Sequence, residues 1–95
     1  MTQIATARHI LVKSETECKF LKSKLERGAD FAETAASFSS CPSAGKGGDL
    51  GEFGPGEMDR AFDQVAFHGE VGTIHGPVKT KFGYHLLEVT SREDT

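Results

Sequence analysis

Two short runs at opposite ends of the chain limit its fold more than any other feature. The first segment, Met1 to Val12, holds few charges and ends in the apolar run Ile10-Leu11-Val12, which reads as a central strand. Tyr84 to Val89 alternates and reads as the closing strand. Each carries a histidine inside an otherwise apolar stretch, His9 in the first and His85 in the last. The ordinary role of a histidine in such a setting is a hydrogen-bonded core residue. Two of them in one small sheet change that reading, because neighbouring central strands bring the rings within reach of each other. One ring then donates and the other accepts. Burial makes such a pair resist protonation, since desolvation disfavours the charged form.

The segments between those runs place helices around the sheet. Ser14 and Glu17 fit a capping box and start a helix whose stripe is Cys18, Leu21 and Leu25, with Phe20 beside it. Lys19, Lys22, Lys24 and Glu26 are expected to face water, and Gly28 closes the helix. Asp30 and Glu33 form a second box, before a short helix with Phe31, Ala35 and Phe38 on its apolar side. Ser39 to Gly48, SSCPSAGKGG, is a loop with room for one helical turn. Leu50 to Phe53 alternates as a short strand, Gly54-Pro55-Gly56 is a turn, and Met58 to Phe67 is a third helix with Met58, Phe62, Val65 and Ala66 inward. Ile74 to Val78 contains Gly76-Pro77, which suits an edge strand, and Lys81-Phe82-Gly83 is a turn. The order β-α-α-(short helical turn)-β-α-β-β defines an α+β fold, a small sheet with helices packed against it, in a single domain over residues 1–95.

Charge narrows the partners. Eleven Lys+Arg against fourteen Asp+Glu leave a net charge of −3, without the basic excess of a nucleic-acid binder. No run approaches a membrane span of roughly 18 apolar residues. The opening MTQIATARHILVK lacks the apolar core of a signal peptide, so a cytoplasmic location is expected. No long apolar stripe is left without a use, so a monomer is expected. Cys18 and Cys41 form neither a CxxC pair nor a disulfide framework, and no structural metal is expected.

The polar candidates for chemistry are His9, Cys41, Asp49, Thr80 and His85. Cys18 has helix-core spacing and reads as packing. Cys41 sits on the small-residue loop, where three readings stay open: an incidental thiol, a hydrolase nucleophile served by histidine, or a zinc ligand with His9 and His85. A nucleophile elbow and a fourth zinc ligand are both missing. Gly45-Lys46-Gly47-Gly48 lacks the spacing of a phosphate-binding loop and precedes a strand rather than a helix. Gly47-Gly48-Asp49 is instead expected to need positive φ, with the Asp49 carboxylate tying loop amides together. Leu50, Met58, Phe62 and Phe82 are apolar, and three of them fall at element ends or turns. A flexible methionine beside aromatic rings makes a receptor for a compact aliphatic ring.

Taken in order, these blocks resemble the parvulin family of peptidyl-prolyl cis/trans isomerases. The resemblance is carried by His9-Ile10-Leu11-Val12-Lys13, Phe31-Ala32, Phe38-Ser39, Cys41-Pro42-Ser43 and the run Gly47 to Phe53. It continues through Gly56-Glu57-Met58, Ala61-Phe62, Gly76-Pro77-Val78 and Phe82-Gly83-Tyr84-His85, and so spans about His9 to Val89. The length is similar to that of the small free-standing bacterial parvulins. The resemblance implies a four-stranded antiparallel sheet surrounded by helices, and an isomerase that needs no cofactor. Its implied partners are proline-containing peptides and unfolded or folding protein chains. It further implies catalytic roles for His9 and His85 as the paired sheet histidines, for Cys41 at a position that is Cys or Asp in the family, and for Thr80 as the hydroxyl joining them. Leu50, Met58 and Phe62 match the pocket for the substrate proline ring, with Phe82 flanking it.

Two departures from the family pattern matter. Asp59 occupies the position just after the methionine, where relatives place a backbone-contacting amide, and Gln64 does not match it. Phosphate-directed parvulins carry consecutive arginines after the first strand, whereas here Lys13 is followed by Ser14-Glu15-Thr16-Glu17. Without an arginine fork, capture of a phosphate is poor, and phosphorylation-independent substrates are expected. A peptide-binding module that had lost turnover would show vacated site positions, yet every histidine and pocket position is filled.

Overall fold

The structure is a computed structural model that describes residues 3–94. Met1 and Thr2 of the expected first strand, and Thr95, lie outside the described residues. The elements run β1 (Gln3–Val12), α1 (Glu15–Glu26), α2 (Phe31–Phe38), a 3-10 turn (Pro42–Lys46), β2 (Asp49–Phe53), α3 (Arg60–His68), β3 (Ile74–Thr80) and β4 (Gly83–Asp94). The four strands form one antiparallel sheet in the order β2-β1-β4-β3. The first and last strands are therefore the central pair, and the Gly76-Pro77 strand is an edge, as their sequences require.

Period-two alternation sends neighbouring residues to opposite faces of the sheet. Ile10, Val12 and Leu86 pack against Cys18, Leu21 and Leu25 of α1 and against Phe31 and Ala35 of α2. Ala5, Ala7 and Leu87 pack instead with Phe53 and with Phe62, Ala66 and Phe67 of α3. Two half-cores thus share one sheet, and His9 and His85 lie buried on its strands. Both expected capping boxes begin helices. Ser14 Oγ accepts from Glu17 N at 3.3 Å and Asp30 Oδ1 from Glu33 N at 2.9 Å.

The structure corrects several details. Phe20 and Phe38 are 61% and 46% exposed, so neither helix buries its extra phenylalanine. Lys22 does not simply face water, because its Nζ donates to the Gly76 carbonyl of β3 at 3.0 Å. Helix α3 starts at Arg60 rather than Met58, since Asp59 accepts from Ala61 N at 3.1 Å and caps it. Met58 is left in the preceding turn, and Phe67, not Met58, completes the inward face of α3. β4 runs to Asp94 rather than Val89: its last residues are polar and lack the apolar alternation, yet they still pair with Gln3 to Thr6 of β1.

Candidate active site

β1 and β4 are in a register that pairs Leu11 with His85 and His9 with Leu87. This stagger stacks the two imidazoles, with planes 16° apart and Nδ1 facing Nδ1 at 3.0 Å. Two neutral rings form a hydrogen bond at that distance only when they hold opposite tautomers, one donating and one accepting. His85 Nε2 lies 2.8 Å from Thr80 Oγ1, at the end of β3, and Thr80 Oγ1 accepts from Phe82 N at 3.2 Å. The β3–β4 turn is thereby tied to the histidine pair. Phe62, in the first turn of α3, stands edge-on to both imidazoles, at 5.8 Å from each.

The Cys41 loop is held against the same strand. Ser39 Oγ accepts from Leu11 N at 3.0 Å and from Cys41 N at 3.3 Å, while Ser40 N donates to Leu11 O at 2.8 Å. Further on, His9 N donates to Gly48 O at 2.9 Å. Gly47 and Gly48 have φ of 70° and 85°, the left-handed region expected for this loop. Asp49 is the loop tie that its neighbours predict, accepting from Gly51 N at 2.9 Å. The turn that carries Met58 is fixed by two carboxylates: Glu57 accepts from Gly54 N at 2.5 Å and Asp63 from Gly56 N at 2.7 Å.

These pieces enclose a cup of about 400 Å³. His9, His85, Thr80 and Cys41 are among its polar lining, and Leu50, Met58, Phe62 and Phe82 supply the apolar wall. All eight expected residues therefore converge on one cavity from β1, the Cys41 loop, β2, the turn before α3, α3 itself, β3, the β3–β4 turn and β4. Phe82 is 63% exposed and forms the rim. Four more residues line the cup that residue-by-residue reasoning left out of the site: Leu11, Ser40, Pro42 and Asp59. Leu11 was legible, since it shares the strand face of His9. Ser40 and Pro42 were not, because nothing local shows which side of a loop meets a cavity. Cys18 is buried, which pushes its thiol up to about 11 and leaves it a packing residue. Among the described residues, no group of three His, Cys, Asp or Glu side chains is gathered to hold a metal.

Burial holds His9 down to about 4, with the neighbouring His85 adding to the effect. Burial also lowers His85, opposed by the carboxylate of Asp59. Both rings are thus neutral near pH 7, and the facing Nδ1 atoms then belong to opposite tautomers. A histidine lowered on folding is protonated more readily in the unfolded chain. Its stabilising effect is full above the ordinary value of 6.5 and is lost as pH falls toward 4. For His9 the loss amounts to roughly 3 kcal/mol. Urea unfolding at pH 7.5 and pH 4.5 should show this fall, and a His9→Leu variant should show a smaller one. Equal pH dependence in the two proteins would contradict it.

A four-stranded antiparallel sheet with a buried histidine pair lining a largely apolar cup points to a peptidyl-prolyl cis/trans isomerase domain of the parvulin type. The family model described as the rotamase, or PPIC-type PPIase, domain matches residues 6–91, and the chain belongs to that family. The foldase protein PrsA of Geobacillus kaustophilus is 49% identical over 88 residues, covering 92% of this chain and 31% of that protein. The chain thus spans about a third of the length of such curated relatives. The crystal structure of peptidylprolyl isomerase PrsA from Bacillus anthracis superposes with a TM-score of 0.94 at 40% identity, over 98% of this chain and 43% of that one. The solution structure of NmPin, the parvulin of Nitrosopumilus maritimus, matches with a TM-score of 0.83 at 35% identity, over 96% of this chain and 98% of that one.

Proposed function

We propose that the cup receives the proline ring of an X–Pro segment and speeds rotation about the bond before it, with His9, His85, Cys41 and Thr80 shaping the field around the turning carbonyl. The observation that carries this reading is the convergence of the Leu50, Met58 and Phe62 wall with the histidine network on one cavity. Rotation faces a barrier of about 18–20 kcal/mol that arises from amide resonance. The planar amide is charge-separated, so an apolar wall favours the twisted, less conjugated form. Polar groups held in place before the substrate arrives orient the turning segment without reorganising, and they do not oppose rotation so long as none of them pulls strongly on the carbonyl oxygen. The neutral histidine pair fits this role, because a buried imidazolium would pull on the carbonyl and favour the planar form. Rotation needs no net bond change, and catalysis is proposed to be noncovalent, with Cys41 acting through its polarity.

The similarity to foldases supports folding protein chains as clients, with short proline peptides as the minimal substrate. The domain is proposed to act as a monomer. Phosphorylated substrates are not needed. Of the arginines, Arg8 pairs with Glu88 at 2.6 Å and Arg92 donates to the Ala66 and Gly69 carbonyls, and none lines the cup. Matched Ser-Pro and phosphoSer-Pro peptides should give kcat/KM values within a few-fold of each other, with the phosphopeptide the poorer. A large preference for phosphate would overturn this part of the proposal.

A further inference from the structure

Asp59 is the one cup residue whose charge has no part in the reading above. Its Oδ1 accepts from Ala61 N at 3.1 Å, which anchors the side chain at the N-terminus of α3 while it still lines the cup. The carboxylate follows Met58 directly, so it stands beside the ring-binding wall. It is near enough to His85, which lines the same cup, to oppose the effect of burial on that ring. Apart from the histidines and Cys41, it is the one ionisable side chain in the described lining.

The cations of this region are arranged differently. Lys13, Lys79 and Lys81 are exposed, and none of them lines the cup. Lys81 Nζ lies 5.2 Å above the ring of Phe82, itself a rim residue. Arg60 is adjacent to Asp59 in sequence but lines a separate cavity with Asp63 and Phe67. Solvated lysines at the rim are screened by water and salt, whereas a half-buried carboxylate against apolar walls is screened much less. The described lining of the cup therefore holds a carboxylate and no lysine or arginine, although four lysines, Lys46 among them, lie near the site residues in the sequence.

Resting on the isomerase reading, we infer that Asp59 is a specificity residue that selects X–Pro segments with a lysine or arginine next to the proline and rejects those with an acidic neighbour. The test uses six peptides in two sets of three: Lys, Ala or Glu before the proline with serine after it, and Lys, Ala or Glu after the proline with serine before it. Each is assayed for kcat/KM with the wild-type chain and with Asp59→Asn, which keeps a good helix cap and removes the charge. The readout is the Lys-to-Glu ratio within each protein, so a change in absolute rate does not affect it. In the wild type the ratio should be about tenfold on at least one side of the proline, and in D59N it should fall close to one. A wild-type ratio near one, a preference for Glu, or an unchanged ratio in D59N would overturn the inference and leave the isomerase reading intact. Acceleration of none of the six peptides would remove both.

Discussion

Replacing Met58 by alanine should lower kcat/KM on short X–Pro peptides by roughly 10- to 200-fold, the range for truncating one apolar contact in a binding pocket. The fold should be nearly unaffected. Met58 lies before the Asp59 cap, outside α3, and is only half-buried, in a turn already held by Glu57 and Asp63. Its side chain serves the cup more than the core. Phe62 serves both: it is 3% exposed and packs edge-on against Phe53 and the two histidines. Phe62→Ala would therefore remove about 3–5 kcal/mol of stability together with the proline contact. Met58→Ala separates the two effects. Its rate is to be read beside a urea midpoint, and a kcat/KM within twofold of wild type in a folded variant would place the ring-binding wall elsewhere.

The largest effect on stability is expected from Gly48→Ala. Gly48 has φ of 85° and its carbonyl accepts from His9 N, so the loop lies flat against β1. A Cβ there would drive into the His9 carbonyl oxygen and press on Ala35 at 3.3 Å. Neither neighbour can yield: the His9 backbone sets the ring position in the histidine pair, and Ala35 is fully buried. Gly51→Ala is the control. It has φ of 70° but nothing within 4 Å of its Cβ, so it carries only the left-handed penalty of about 1–2 kcal/mol. Thermal unfolding should show a Tm shift for Gly48→Ala at least twice that for Gly51→Ala. The His9 ring resonances should move only in the former. Equal Tm shifts would mean that the close approach of this loop to β1 is not what stabilises the site.

Much of this arrangement is legible in the sequence because it rests on local signals. Ser14, Asp30 and the glycines of the Cys41 loop mark boundaries through short-range hydrogen bonding and φ preferences, and these act within a few residues of chain. His9 and His85 could be paired because both interrupt apolar strand runs, and such runs belong at the centre of a sheet. What failed depends on contacts across the fold. The apolar spacing of α3 extends back to Met58, but Asp59 caps the helix first, and a cap outweighs one more residue of periodicity. Phe20 and Phe38 follow helical spacing closely enough to look inward, yet the sheet face opposite them is already filled by Leu21, Leu25 and Phe31. The polar end of β4 lacks alternation and is a strand only because β1 pairs with it. In the site, Asp59 was visible as a departure from its relatives, but its place on the cup wall is set by a helix cap and a three-dimensional cavity.

The central claim is that this cup accelerates X–Pro rotation. The most direct measurement is NMR exchange spectroscopy on a short Ala-Pro peptide in which cis and trans forms give separate signals, with and without a small fraction of the protein. Alone, the peptide interconverts over tens to hundreds of seconds and shows no exchange peaks on the second timescale. With the wild-type chain, cis–trans exchange peaks should grow in, and the Met58 methyl and Phe62 ring resonances should shift on peptide binding. Peptide-induced shifts at those residues without exchange peaks would contradict the account and identify the cup as a binding site alone.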